Sequence, residues 1–448
     1  MQPSPDNKLE RGLSLTQATA VNMIDMVGIG PFITIPFIVG LLHGPVCIIA
    51  WLIGALLAYS DGMVWAELGA RWPEAGGSYV FLQKLFGNKW GKLMAFLFIF
   101  QTVIQAPLVI ASGAIGFSQY LTYLVPLSEL QQKAVSGGLV ILLVALLYRN
   151  IKSVGKISVI LAVITGGTML WLILSGIGHF HPAQAFDFSI HGFDGSALLF
   201  VAIGQASLKA IYSYMGYYNI CQLGGEIRNP SKNIPRSILI SVTGVAILYL
   251  CMQTVIIGVL PASLVAHSSF IASTYFEHIY NHAAGQIATM LILCIALASL
   301  FSVILGYSRI PYAAAKNGDF FPIFARVHHK HKFPHISLLA LGGIGFVFSL
   351  LFKMQDVITA IVTVRILIQF VSQAIGVIAW HYSKPNEERP YKMPLFPIPA
   401  VISITIWLYI LFSSKWTYIA AAIALIVAGL ALFRLKESII SKQTPQNE

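Results

Sequence analysis

Apolar residues occur in long runs along the chain, separated by short polar segments. A helix rises about 1.5 Å per residue, so runs of about 20 apolar residues match the ~30 Å hydrocarbon core of a bilayer. A β-barrel would show short alternating segments instead. The pattern therefore predicts an all-α polytopic membrane protein with about twelve spans, at residues 14–42, 44–70, 91–120, 132–149, 156–178, 194–224, 234–260, 284–317, 334–352, 355–382, 397–413 and 416–435.

Composition supports this interpretation. Hydrophobic residues make up 57% of the 448 residues and charged residues 10%, with a mean hydropathy of +0.77. A typical soluble domain has roughly 25% charged residues. A soluble fold of this composition would leave large apolar surfaces in water, and disorder requires the opposite composition. Both classes are therefore excluded.

The net charge of +11 raises the question of a nucleic-acid partner, but the distribution of the charges indicates a membrane topology instead. With the N-terminus in the cytoplasm, 23 of the 28 Lys and Arg residues lie on the inner side. The outer loops hold Lys133, Lys353 and Lys415, and two cations, Lys209 and Arg365, lie within spans. This asymmetry predicts cytoplasmic termini in the cell membrane, with anionic lipids as partners and no nucleic acid.

The predicted organisation has four parts. These are a cytoplasmic tail at 1–13, a core of ten spans at 14–382, two additional spans at 397–435 and a cytoplasmic tail at 436–448. We expect neither a metal nor a cofactor. The four cysteines lie in or beside apolar spans without a CxxC pair, and the histidines at 328–331 lie in a basic loop without acidic or thiol neighbours.

Two spans contain helix-breaking residues near their middle. In the first span, Gly28 and Gly30 precede Pro31, which has no amide hydrogen and clashes with the preceding turn. In the sixth span, Gly216 lies at a comparable depth. A broken helix persists in hydrocarbon only where protein, water or a ligand satisfies its free backbone groups. The alternative is that the glycines only allow close helix packing.

Breaks five spans apart predict two inverted repeats, at about 14–178 and 194–382. Many secondary transporters have this arrangement, with the substrate at mid-membrane between the breaks. We then expect transport by alternating access.

Several sequence motifs, which occur in the order typical of one permease family, strengthen this prediction. The chain resembles the amino acid-polyamine-organocation family of permeases and, within it, the L-type amino-acid transporters, which implies a LeuT-like fold with 5+5 inverted repeats. The resemblance covers residues 30–400 approximately, through the segments GIGPF at 28–32, ELGAR at 67–71, YSYMGY at 212–217, EIRNP at 226–230, NIPR at 233–236 and RPYKMP at 389–394.

The chain departs from the family pattern at several positions. Ile29 replaces a serine, and Pro31 removes one amide from the expected carboxylate cradle. Tyr217 replaces a tryptophan, and Gly225 replaces the first acid of a Glu-Glu pair. Thr165 stands where many relatives have a lysine in span 5, and Lys156 lies nearly three turns earlier, so the role of that lysine is not transferred to Lys156.

The breaks are the predicted substrate site. Free amides beside the positive end of a helix dipole can hold a carboxylate, and carbonyls freed near Tyr212 and Ser213 can accept from an ammonium. The resemblance makes Tyr212 a gating aromatic residue. The predicted binding residues are Gly28, Ile29, Gly30, Phe32, Tyr212, Ser213, Tyr214 and Gly216.

Charges at membrane depth are costly and by default indicate function. We expect Asp25 to carry a coupling proton, and Lys209 or Arg365 to contact a second carboxylate. Ser299 and Ser302 are candidates for a sodium site. The alternative for Asp25 and Asp61 is a structural lock with a cation or a hydroxyl.

The prediction is a permease for amino acids, working by proton-coupled symport or by exchange. A polyamine or other amine is the alternative substrate, because GPF at 30–32 also resembles plant polyamine permeases and Asp25 can meet an ammonium. The cations Lys209 and Arg365 oppose a polycation. No enzyme motif is present, and the polar residues within the spans cluster at the breaks rather than along a continuous channel.

Overall fold

The regular structure is helical throughout the part of the chain that the structure describes. The structure is a computed structural model, and it describes residues 9–188, 196–351 and 362–443. Its helices are α1 (Leu15–Met26), α2 (Gly30–Leu42), α3 (Cys47–Arg71), α4 (Ser78–Leu121), α5 (Glu129–Leu147), α6 (Ile151–Gly176), α7 (Pro182–Ala185), α8 (Ser196–Tyr214), α9 (Asn219–Gln222), α10 (Pro230–Val259), α11 (Ala262–His267), α12 (Ile271–Ile279), α13 (His282–Tyr307), α14 (Arg309–Lys316), α15 (His335–Leu351), α16 (Val362–Ser383), α17 (Ile398–Ser413) and α18 (Trp416–Gln443).

The number of long apolar helices agrees with a polytopic membrane protein. Nine helices of the described segments are long and apolar enough to cross a bilayer, and the bent pair α1–α2 makes a tenth. Two shorter apolar helices, α15 and α17, occupy the positions of the ninth and eleventh predicted spans. Membership of the all-α membrane class is therefore confirmed, while the count of twelve stays a prediction.

The break in the first span is confirmed. Ser14 and Gln17 form a capping box that starts α1, and the helix ends at Met26. Pro31 stands in the first turn of α2, where its missing amide hydrogen costs no intrahelical bond. The axes of α1 and α2 differ by 42° across the break.

The break in the sixth span lies at residues 215–218 and includes the predicted Gly216. Gly216 has φ +116°, in the region that favours glycine, and ends the helical path of α8. The short helix α9 follows, and the chain then enters α10 at Pro230.

The helices refine two of the predicted boundaries. The third predicted span, near 91–120, lies within α4, which starts at Ser78 and has a kink at Gly87, where φ is +70°. The eighth span divides into α13 and α14 near Ser308. Residues 352–361, which include the predicted start of the tenth span and Lys353, lie outside the described residues, as do 1–8 of the first tail.

The two broken spans lie at the centre of the helix packing. Helix α1 packs against α6, α10 and α13, while α2 packs against α8. Helix α3 packs against both α8 and α10. The polar backbone of both breaks is therefore enclosed by other helices, as a non-helical segment at membrane depth requires.

Candidate functional site

A cavity lies between the two helix breaks. Both breaks contribute to it, and α4, α13 and α16 supply the opposing walls. Its lining combines backbone from the breaks with one acidic residue, one basic residue and several hydroxyls: Asp25, Met26, Gly28, Ile29, Gly30, Val109, Gly113, Tyr212, Ser213, Met215, Gly216, Tyr218, Ala296, Ser299, Leu300, Val303, Tyr307 and Arg365.

The first break presents free amides to this cavity. The Gly28 amide donates to the Met26 carbonyl at 3.1 Å, but the amides of Ile29 and Gly30 donate to no acceptor among the described residues. These two amides stand at the N-terminal end of α2, where the helix dipole is positive. Backbone donors and a positive dipole end together form an anion site.

Two glycines allow the breaks to approach their neighbours. A Cβ atom on Gly28 would lie 2.5 Å from Ser299 Oγ. A Cβ atom on Gly216 would lie 2.9 Å from the backbone carbon and from Cγ of Asp25. Both distances are shorter than real Cβ contacts, so side chains at these positions would displace α13 or Asp25.

Asn22 links the two breaks directly. Its Nδ2 donates to the Tyr217 carbonyl at 2.7 Å, and its Oδ1 accepts from the Ile220 amide at 2.9 Å. One side chain of α1 therefore satisfies two backbone groups that the unwinding of the sixth span exposes. Because the Asn22 side chain is fully buried, these bonds replace lost helical bonds away from water.

Tyr249 of α10 also satisfies backbone groups at both breaks. Its hydroxyl lies 2.8 Å from the Met26 carbonyl oxygen and 3.1 Å from that of Ser213. The two carbonyls belong to the last turns of α1 and α8. The Ser213 carbonyl, predicted as a free acceptor for an ammonium, thus already receives a bond from Tyr249.

The serines of α13 contact the first span. Ser299 Oγ donates to the Asp25 carbonyl at 3.3 Å, and Ser302 Oγ donates to the Val21 carbonyl at 2.8 Å. Asn219 Nδ2 in turn donates to Ser302 Oγ at 2.9 Å. Ser299 lines the cavity, whereas Ser302 is fully buried outside it.

Tyr212 spans the cavity between α8 and α4. Its hydroxyl is 3.2 Å from Ser112 Oγ, and its ring lies 3.3 Å from the position of a Cβ atom on Gly30. Ser213, the next residue, shares a hydrogen bond of 2.9 Å with Thr34 of α2. Tyr212 therefore joins both breaks to the opposing wall.

Asp25 and Arg365 place opposite charges on the same cavity. The Asp25 carboxylate forms no hydrogen bond or close ion pair within the described part of the chain. The Arg365 guanidinium is held by other groups: its Nη1 donates to the Tyr218 hydroxyl at 2.6 Å, and its Nε donates to Gln369 Oε1 at 2.7 Å.

The surroundings of Arg365 are aromatic. Its guanidinium carbon lies 4.9 Å from the ring centre of Tyr218, 5.2 Å from that of Phe370 and 5.9 Å from that of Tyr307. The residues Ile366–Val371 form a π-helical turn directly after it. Such turns are rare and frequently occur at functional sites.

Three other predicted residues lie outside the cavity. Phe32 is fully buried in the core, and Tyr214 packs edge-to-face against Trp51 and Tyr249. The Lys209 ammonium lies 5.9 Å from the centre of the Phe37 ring, in electrostatic range of Lys415. The structure therefore does not bring Lys209 together with Arg365.

The remaining buried acids form structural contacts. Asp61 accepts from Tyr217, Ser403 and Trp65, and so joins α3 to the sixth span and to α17. Glu226 forms a bidentate ion pair with Arg309, with both distances at 2.8 Å.

Glu67 accepts from the Met393 amide and lies 2.6 Å from His381 Nε2. These contacts hold the end of α3 against α16 and the loop that precedes α17. The described residues contain no group of three or more His, Cys, Asp or Glu side chains arranged for a metal ion.

Sequence reasoning missed Asn22, Tyr249, Thr34 and Ser112. A polar residue within an apolar span is a signal that would have found Asn22, since its buried amide must have partners. Tyr249 carried no such signal, because a tyrosine in an apolar span is also an ordinary packing residue.

The family comparison agrees with this architecture. The amino acid permease family model matches residues 13–438. The chain therefore belongs to the amino acid permease family, whose members are membrane transporters and not enzymes.

Among curated proteins, the chain is similar to three from Bacillus subtilis (strain 168). It is 24% identical to the aspartate-proton symporter over 90% of this chain and 79% of that protein. It is 24% identical to the serine/threonine exchanger SteT over 95% and 96% of the two chains. It is 22% identical to the methylthioribose transporter over 98% and 96%.

Proposed function

We propose that this permease moves amino acids across the cell membrane by alternating access, with a proton as the coupled ion and both termini in the cytoplasm. The observation that carries the proposal is the cavity between the two breaks, which is lined by Ile29 and Gly30 at the N-terminal end of α2 together with Asp25 and Arg365. The excess of Lys and Arg on the predicted inner side supports the orientation.

The α-carboxylate of the substrate binds the amides of Ile29 and Gly30. These donors are fixed by the fold, and Pro31 and Ile29 leave fewer donors than the family pattern has, so the cradle relies on backbone alone. The α-ammonium lies on the side of Asp25, Ser213 and Gly216. Tyr212 closes over the ligand, and the bond of its hydroxyl to Ser112 holds it in place.

Asp25 is the proposed proton carrier. Its carboxylate lines the cavity without a hydrogen-bonded partner in the described segments, so protonation breaks no structural contact there. Asp61, by contrast, accepts three hydrogen bonds and acts as the structural lock. The aspartate-proton symporter among the relatives supports a proton. A sodium ion at Ser299 and Ser302 is the alternative, because both hydroxyls contact carbonyls of α1.

A polyamine substrate is the second candidate for the function. Asp25 can accept from an ammonium group, which favours it. Arg365 opposes it, since a fixed guanidinium in the same cavity repels a polycation.

Transport by purified protein in proteoliposomes tests the proposal. Labelled amino acids and polyamines are supplied with and without a pH gradient, and we expect gradient-driven uptake of amino acids only. Gly28→Leu should abolish uptake, because its side chain would enter the space of Ser299. Gly166→Leu is the matched control, since Gly166 has open space around it. Substrate binding by Gly28→Leu at the level of the parent would contradict the cradle.

A further inference from the structure

One nitrogen of the Arg365 guanidinium has no hydrogen-bond partner among the described residues. Its Nη1 and Nε are occupied by Tyr218 and Gln369, but Nη2 is buried without an acceptor in the described parts of the chain. The residue as a whole is 1% exposed and lines the cavity. A buried charged donor left unpaired is costly, so it indicates a missing acceptor.

The missing acceptor is not another residue of the cavity. Asp25 lines the same space and interacts electrostatically with Arg365, but among the described residues the two side chains form neither a hydrogen bond nor a close ion pair. The guanidinium is instead held by the rings of Tyr218, Phe370 and Tyr307, which support a cation without neutralising it. The π-helical turn Ile366–Val371 holds Gln369 within reach of Nε.

We infer that Arg365 binds the side-chain carboxylate of the substrate, and that the permease selects acidic amino acids. The inference rests on the proposed function, because it takes the α-carboxylate to occupy the amides of Ile29 and Gly30. A second anionic group on the substrate then meets the free Nη2. Guanidinium–carboxylate contacts are charge-assisted and therefore among the stronger hydrogen bonds.

The charges in the cavity also favour an acidic substrate. The cavity holds Asp25 and Arg365, whose charges cancel when both are ionised. An acidic amino acid adds one negative charge, which a proton on Asp25 compensates. The titratable and charged groups that line the cavity with Asp25 are Tyr212 of α8, Tyr218 of the second break, Tyr307 of α13 and Arg365 of α16. Tyr249 of α10 contacts the end of α1. One acidic substrate with one proton is therefore transported without net charge.

Uptake of matched acid and amide pairs tests the inference. Aspartate is compared with asparagine, and glutamate with glutamine, in proteoliposomes that contain the parent, Arg365→Gln or Lys156→Met. The parent should prefer each acid by at least about tenfold, the worth of a charge-assisted hydrogen bond. Arg365→Gln should lose this preference, and Lys156→Met, which changes an exposed cation away from the cavity, should keep it.

The outcomes separate this inference from the proposed function. Equal or better uptake of the amides by the parent would overturn the acidic selectivity and leave an amino acid permease in place. Failure of the parent to transport any amino acid would overturn the proposed function. If Arg365→Gln does not fold, the parent protein alone tests the inference through two measurements. These are the ratio of acid uptake to amide uptake and the electrical current that accompanies transport. Acidic substrate should produce no current, whereas a steady inward current with it would contradict the inference.

Discussion

Asn22 Nδ2 lies 2.7 Å from the carbonyl oxygen of Tyr217, and this bond joins the helix before the first break to the backbone of the second. The same side chain accepts from the amide of Ile220. The two unwound segments therefore form one hydrogen-bonded unit, with Tyr249 bonded to the ends of both α1 and α8. Motion of one break has to involve the other or break these bonds.

Replacement of Asn22 by leucine should destabilise the protein strongly. The change keeps the approximate side-chain size but leaves the Tyr217 carbonyl and the Ile220 amide unpaired. Each buried unpaired group costs about 1–3 kcal/mol, so for the two groups we expect a loss of about 2–6 kcal/mol. Thermal unfolding in detergent measures it, with Asn88→Leu at an exposed position as the control. Equal melting temperatures for the two variants would contradict the role of Asn22.

Gly216→Ala should abolish transport even where the protein still folds. Its positive φ costs an alanine about 1–2 kcal/mol, and the new Cβ would press on Asp25. Gly318→Ala is the matched control, because Gly318 also has a positive φ, +81°, but open space around it. The control shares the backbone strain without the contact. Loss of uptake in both variants would assign the effect to strain alone.

The positions of the breaks were predictable because they depend on local chemistry. Gly28, Gly30 and Pro31 weaken the helix whatever surrounds them, and Gly216 supplies a backbone conformation that other residues avoid. The start of α4 was not predictable from hydropathy. Its first turns contain Gln83, Lys84 and other polar residues, so the continuous apolar run begins only after them.

The contacts that satisfy the breaks required the folded structure. Asn22 and Tyr217 are 195 residues apart in sequence, and no periodicity relates them. The position of the Lys209 ammonium was not predictable for a different reason. Its helical phase matched that of Tyr212, but a lysine has a long flexible chain whose amine can point away from the cavity. The structure places this amine over Phe37.

Lys209→Met tests the consequence of that placement. Because the ammonium does not line the cavity, we expect the variant to transport acidic, neutral and basic amino acids in the same ratio as the parent, within about twofold. Uptake of each class in proteoliposomes measures the ratio. A selective loss of acidic and neutral substrates, with basic ones spared, would show that Lys209 reaches the substrate.

Asp25→Asn keeps the size of the side chain and removes its titratable proton. The variant should lose accumulation driven by a pH gradient, by about tenfold or more, and retain exchange of labelled for unlabelled substrate. Retained exchange is the internal control for folding and binding. Accumulation equal to that of the parent at every pH would remove Asp25 from the coupling mechanism and favour the sodium alternative at Ser299 and Ser302.

Glu387, in the loop between α16 and α17, should make a small pH-dependent contribution to stability. Its carboxylate accepts from Arg71 Nη2 and from Trp380 Nε1, both at 2.6 Å, and these bonds lower its pKa below the ordinary value of 4.5.

Because the folded-state pKa is lowered, the contribution is complete above pH 4.5 and is lost as the pH falls through the folded-state value. Glu387→Gln should therefore melt below the parent at pH 7, by an amount worth about 0.5 kcal/mol, and the difference should shrink towards pH 3.5. Glu388→Gln, at the exposed neighbouring position, should match the parent at both pH values. A difference between Glu387→Gln and the parent that stays constant from pH 7 to pH 3.5 would show that ionisation of Glu387 does not stabilise the contact with Arg71.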